Sequence, residues 1–554
     1  ERAAIRELIR TVDGSIDGDR IYSDSGGNPL FALEAVRAFH HQGRVNLSNL
    51  QALIADRLKT LEDTAQMLLP WAAALGRQFE PMLLAEVSDC PLHRLLTALE
   101  QLEAAGIIRP GAAKAGDRYD FAHDLVRQVV YQTVSAPRQR LMHWQIAQHL
   151  DRLAQVNPDL ISAVARHASL GKHHELAAIA SYRTAQQWLQ IFAYAEATEL
   201  VQQGLIHCHH LAANIGLPLQ MQLLKVQVLA GVTVEAVPII EQALQDGIRD
   251  AQATGLQDAE TTGIEALLML NYHHNRLDDL HSHSLTFAER GQMKHPGNSA
   301  RVFAISGSCL STMERDMDRA EALLLEAKSL ADRVSAKIPD IPYGLGCVSR
   351  FRGDLESACH LLTEAYQMST AAQHQSLSLT LLVMVHLEAG AIEAAIAHSQ
   401  TLITITEKMA EGSEAPFAQA LHALAHYILT PETTIPSLNA TLQELQVIDA
   451  PRKLAYILSG AAEIDLARGR TEAALTHASF ALQSARVVKH PSDIVLAWSL
   501  WIQALTATKQ PEKARQELEQ LHHCVTFEEL SSRAVKMLAT ATHKLNSTTP
   551  SRSS

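Results

Sequence analysis

The stretch Arg352-Gly-Asp-Leu-Glu-Ser-Ala358-Cys-His-Leu-Leu-Thr-Glu-Ala-Tyr366 spells out one helix end, one turn and one helix start. Gly353 can take the left-handed backbone that closes a helix, and Asp354 can cap the next one. Glu356 then falls in the first turn, where the helix dipole favours an acid. Leu355, Ala358, Leu361, Leu362, Ala365 and Tyr366 recur at i, i+3, i+4 and i+7 spacing, an apolar stripe that a single helix cannot bury. A small residue at 358 lets two helices approach closely.

The same signal recurs along the chain. Gly-x-x-x-x-Ala appears as Gly231 to Ala236, Gly353 to Ala358, Gly390 to Ala395 and Gly469 to Ala474. Weaker copies place anchors at Ala197, Leu280, Ala320, Ile435 and Ala514, so that successive anchors stand 37 to 44 residues apart, about 40 on average. Glu393, Glu472 and Glu512 repeat the acid of Glu356. Hairpins that must stack to bury their stripes form an α-solenoid, tetratricopeptide-like but with a longer period, expected over residues 156–545. The Ser/Thr/Pro-rich tail 546–554 is expected to be disordered.

Composition agrees with an all-α chain. Of 554 residues 47% are apolar, 19% charged and only 5% aromatic, which is poor material for a β-sandwich. The net charge of −13 gives no polybasic surface for nucleic acid or anionic lipid. The richest apolar stretch, 377–397, is interrupted by His386, Glu388 and Glu393, so no membrane span is predicted. Six scattered cysteines without a Cys-x-x-Cys pair suit reduced thiols and a cytoplasmic location. The opening ERAAIRELIR, which starts at Glu1 without a methionine, reads as the middle of a helix, so the chain is expected to be the C-terminal part of a longer protein.

The first 150 residues do not repeat. Gly26-Gly27-Asn28-Pro29 leads into a predicted helix over 32–40, and further helices are expected between 49 and 87 and over 92–105. Two short β-prone runs, 107–109 and 118–121, flank a loop at 110–117, and helices 124–134 and 137–153 follow. Helices followed by a small hairpin form a winged-helix pattern. The domains read from this are a helical lid over 1–48, a winged-helix-like domain with trailing helices over 49–155, and then the solenoid.

Gly27-Asn28-Pro29-Leu30-Phe31, a winged-helix-like segment with Phe121-Ala-His123-Asp-Leu-Val-Arg127, and a helical repeat array in that order resemble the C-terminal part of a STAND regulator, a signal-transduction ATPase with numerous domains. Large bacterial transcription regulators belong to that family. The resemblance implies that Gly27, Asn28 and Pro29 contact the adenine of ATP or ADP and that His123 touches a phosphate, with the nucleotide site completed by an upstream domain. It also implies a protein or small-molecule inducer on the solenoid, self-association through the parent ATPase, and any effector domain before the ATPase. The plain alternatives are that Gly-Asn-Pro is a turn, that His123 caps a helix, and that Arg127 forms a salt bridge with Asp124 or Asp120.

No enzymatic activity is expected of the chain itself. It lacks Gly-x-x-x-x-Gly-Lys-Ser/Thr: Gly171-Lys172 precedes His173, and Arg166 stands where the first glycine belongs. His207-Cys208-His209-His210 suggests zinc, yet consecutive helical residues splay by about 100° and only His207 and His210 share a face, so no metal is predicted. The predicted winged helix is read as structural, because residues 1–150 carry 16 basic against 18 acidic side chains. The rival reading is a stand-alone helical-repeat scaffold for protein–protein interaction. A Walker loop within about 300 residues upstream favours the switch, and a start codon close to Glu1 favours the scaffold.

Overall fold

The computed structural model describes residues 7, 10, 11, 58–111, 118–291, 293–409, 413–448, 450–524 and 529–547. Among these it holds 25 α-helices and three short strands, and the chain divides into two compact units, 1–181 and 182–554. The all-α, tetratricopeptide-like reading therefore holds. The proposed lid over 1–48 lies outside the described residues apart from three of them.

The first unit is built on helix Asp63–Leu75, whose Ala65, Leu68, Leu69 and Ala72 are all but fully buried against helices Leu92–Ala104 and Asp124–Thr133. Gly106, at φ +63°, turns the chain out of helix Leu92–Ala104 into the expected hairpin. Strands β2 (Ile108–Pro110) and β3 (Tyr119–Phe121) pair antiparallel, Arg109 opposite Asp120. Residues 78–79, read as part of a helical stretch, form instead a third strand, β1 (Gln78–Phe79), that joins β3 on its other edge and gives the order β1-β3-β2. Phe79 is the buried residue of that pair and packs on Tyr119 and Phe121 at ring distances of 6.1 and 5.9 Å.

In the second unit the repeat works as its sequence dictates. Gly353 has φ +82° at the end of helix Asp340–Arg352, and the Asp354 carboxylate accepts the Ser357 amide at 3.1 Å to start helix Leu355–Met368. The anchors Ala197, Leu280, Ala320, Ala358, Ala395, Ala474 and Ala514 have no exposed surface. Two anchors fail. Ile435 is 39% exposed, because helix Pro431–Val447 buries Leu438 and Leu445 instead. Ala236 belongs to a 3-10 turn, since Pro238 places the helix start at Val237.

The two helices of each hairpin have different neighbours. The first helices, such as Pro296–Met313, Asp340–Arg352, Ala372–Glu388 and Pro451–Ala467, pack on the first helix of the next repeat as well as on their own partner. They therefore bury more residues than their partners do. Helix Pro491–Ala507 buries eleven residues, whereas its partner Pro511–Cys524 buries only Ala514 and Leu521. Ion pairs tie repeat to repeat at the repeat spacing: Lys225 to Glu265 at 2.6 Å, Arg301 to Glu265 at 2.7 Å, Arg350 to Glu388 at 2.7 Å.

Close approach of paired helices makes Gly307 a test of the packing. A Cβ there would stand 2.8 Å from Leu324 Cγ and 2.9 Å from the backbone oxygen of Ala320. Alanine gains about 1 kcal/mol in helix propensity over glycine. Overpacking against a backbone atom costs about 1–3 kcal/mol, so Gly307→Ala should be net destabilising. Equilibrium denaturation checks this, and an unchanged or raised midpoint would contradict it.

Candidate functional site

Gly27, Asn28 and Pro29 lie outside the described residues. His123 occupies the N-cap position between β3 and helix Asp124–Thr133, half-buried, with its carbonyl accepting the Val126 amide at 3.1 Å. Of the two partners considered for Arg127, the chain uses Asp124. The guanidinium donates to its carboxylate at 2.7 Å, Gln128 adds a bond at 2.6 Å, and Arg127 holds that carboxyl below its usual range.

Behind this helix runs a polar chain, buried at its two histidines, that no local motif announces. Arg166 Nη2 donates to the Leu75 carbonyl and to His167 Nε2, both at 3.0 Å. Arginine has no acceptor, so His167 must carry its proton on Nδ1 and donate it to His143 Nδ1 at 2.8 Å. His143 then donates through Nε2 to the Tyr131 hydroxyl at 2.7 Å. Both imidazoles are thereby fixed as neutral tautomers. Burial, with Arg166 adding its positive charge, pushes His143 down to about 4 and His167 down to about 3.

In the second unit the superhelix closes on itself. Gln373 donates to the Tyr194 hydroxyl at 3.4 Å, Arg452 to the Thr312 carbonyl at 3.0 Å, and buried His490 to the Met313 carbonyl at 3.1 Å. Glu529 accepts the Asp316 amide at 2.8 Å. These bonds join residues 140 to 213 apart in sequence, roughly four to five repeats of about 40. They stitch successive turns together, and half-open cavities lie beside them.

One chamber, of about 540 Å³, is reached by Tyr194, Tyr272, His274, Gln373, Glu414 and Lys453. Lys453 pairs with Glu414 at 2.5 Å and with the Ser413 hydroxyl at 2.9 Å, and burial pushes its ammonium pKa down. A second chamber, of about 560 Å³, is crossed by an ionic latch. Glu388, at the end of helix Ala372–Glu388, accepts from Arg350 at 2.7 Å and from Arg533 at 3.2 Å, and Arg533 also reaches Glu463 at 2.7 Å. Burial alone would raise the Glu388 carboxyl, but the two guanidinium groups hold it below its usual range. Arg533 lies on the last helix, Ser532–Ser547, so the latch fastens that helix across the chamber.

The histidines of the 207–210 cluster do not converge. His207 and Cys208 are buried while His209 and His210 are exposed, and among the described residues no group of three or more ligating side chains is placed to hold a metal. Several other histidines serve as internal partners: His477 on Asp465 at 2.8 Å, His281 on Asp316 at 2.5 Å, His386 stacked on His398.

No family model matches the sequence, and no curated protein matches it. Among solved structures the chain is similar to a STAND protein with a tetratricopeptide repeat sensor from Pyrococcus horikoshii, at 12% identity and a TM-score of 0.45 over 99% of this chain and 74% of that one. It is also similar to the Cut9–Hcn1 hetero-tetramer of the APC/C, at 13% identity and a TM-score of 0.39 over 84% of this chain and 92% of that one. At TM-scores below 0.5, neither likeness bears on the activity or the ligand of this chain.

Proposed function

We propose that the chain is the regulatory and ligand-receiving part of a STAND-type signalling ATPase. The nucleotide core stands upstream, Gly27, Asn28, Pro29 and His123 complete its ATP or ADP site, and the second unit receives the inducer. The observation that supports a receptor over a scaffold is the self-closure of the superhelix. Bonds spanning 140 to 213 residues hold successive turns together beside open-mouthed cavities of about 540 and 560 Å³, the size range of small-ligand sites. A scaffold for folded partners would instead need an open concave face. Binding inside would then favour one arrangement of the turns over another, which is all that a regulatory ligand must do.

The nucleotide half of this reading is tested in the full-length protein. His123→Ala is expected to lower retention of bound ADP and to raise basal activity, because a phosphate contact that holds the closed state is lost. Unchanged ADP content and unchanged basal activity would leave His123 as a helix cap. Full-length protein that carries no nucleotide, together with stable capture of a folded partner on the second unit, would favour the scaffold.

A further inference from the structure

Adjoining the chamber of Tyr194 and Lys453, and sharing Tyr272, His374 and Leu377 with its wall, lies a smaller and mostly apolar pocket of about 70 Å³. That is several times the roughly 10–15 Å³ that one water occupies on the same measure. Its walls are Met269, Ile305 and Leu377 with the rings of Tyr272 and Tyr343, and a single carboxylate, Asp340, faces it. Asp340 opens helix Asp340–Arg352, and among the described residues the one hydrogen-bonding group that acts on its carboxylate is its own backbone amide. Lys225 and Arg301, whose charges reach it, are committed to Glu265 at 2.6 and 2.7 Å. His273 and His374 are the further basic groups on the wall, and the charge of His374 acts on Asp340 more strongly than that of Lys225, although neither histidine forms an ion pair with it. Burial raises the Asp340 carboxyl in spite of these cations.

A first-turn acid gains from the helix dipole, which explains an aspartate there but not the mostly apolar pocket around it. A carboxylate facing apolar walls without a paired cation is costly, and a cation arriving in the pocket removes that cost. Tyrosine faces add attraction for an ammonium group. The volume fits a head group of a few heavy atoms, with the larger chamber beside it for the rest of a molecule.

We propose that this pocket binds the ammonium head of a small organic cation, seated between Asp340 and the rings of Tyr272 and Tyr343, with the body of the ligand in the adjoining chamber. This rests on the receptor reading of the second unit and names the chemistry of its ligand.

The experiment is calorimetric titration of the full chain with n-hexylammonium, its neutral counterpart 1-hexanol and the anion hexanoate. Saturable binding of the ammonium, about tenfold or more tighter than the alcohol, with hexanoate weakest, is expected from a charged contact in a mostly apolar site. Asp340→Asn keeps a short polar side chain at the helix start while removing the charge. It should not lower the midpoint of the free protein, and it should bring the ammonium down to the affinity of the alcohol. Met269→Phe, which fills the pocket without altering its charge, should abolish ammonium binding. Equal binding of all three probes, preference for hexanoate, no saturable ammonium binding, or full ammonium affinity in Asp340→Asn overturns the proposal. Equal binding of all three would still leave the receptor reading standing, which separates the two failures.

Discussion

Glu388→Ala is expected to cost the second unit about 3–5 kcal/mol, the range found when one partner of a buried ion pair is removed. The alanine leaves Arg350 without a hydrogen-bonded acid and Arg533 with Glu463 alone, in a network whose central carboxylate has only 7% of its side-chain surface exposed. Helix Ser532–Ser547 should be released first, because Arg533 fastens it across the chamber. Denaturant unfolding gives the loss, and amide exchange in residues 532–547 locates it. A loss below about 1 kcal/mol, the worth of a surface pair, would mean that the latch does not hold the turns together.

Acid should unfold the first unit well before its carboxylates are protonated. The free imidazole titrates near 6.5, whereas His143 and His167 are held down to about 4 and about 3 in the folded chain. Between those values the unfolded chain binds more protons, so the stability these two groups contribute is complete above pH 6.5 and is lost as the pH falls. At 1.36 kcal/mol per pH unit, His143 alone accounts for about 3 kcal/mol by pH 4, and His167 adds to it. His490 in the second unit has the opposite sign, because Asp493 raises it against the effect of burial, so its contribution is present below pH 6.5 and fades as the pH rises through its folded value. Amide exchange followed separately over residues 58–181 and 182–547 separates the two responses. His167→Leu should remove much of the acid slope there, and a wild-type first unit as stable at pH 4.5 as at pH 7 would contradict the buried neutral pair.

The hairpin was legible because its instructions are local. Gly353 and Asp354 do in space what their residue types allow, and alanine at 358, 395 and 474 is fully buried. Register failed at Ile435 and Ala236, where a nearby proline moves the helix start relative to the anchor. Strand β1 escaped because two residues, Gln78 and Phe79, are too few to show alternation.

The candidate site was far less legible. Its residues come from helix ends about 40 or 179 positions apart, as with Glu414 and Lys453 or Tyr194 and Gln373, and no short motif can encode that. Two signals were nonetheless present. Helices apolar nearly all round, such as 491–507, mark the layer that stacks from repeat to repeat. Opposite charges one repeat apart, Lys225 with Glu265 and Arg350 with Glu388, mark where neighbouring repeats meet. The histidine runs likewise gave no sign of the pairs that several histidines form with each other and with acids.

The closure of the second unit is tested most directly by linking two turns through Tyr194 and Gln373, whose side chains meet although 179 residues separate them. Tyr194→Cys and Gln373→Cys are combined with Cys524→Ser, which removes the exposed native thiol. The folded chain is treated with a short bismaleimide. A rapid intramolecular cross-link in buffer, lost in denaturant, is the predicted result. Absence of that link in the folded chain would show an open solenoid whose turns do not meet.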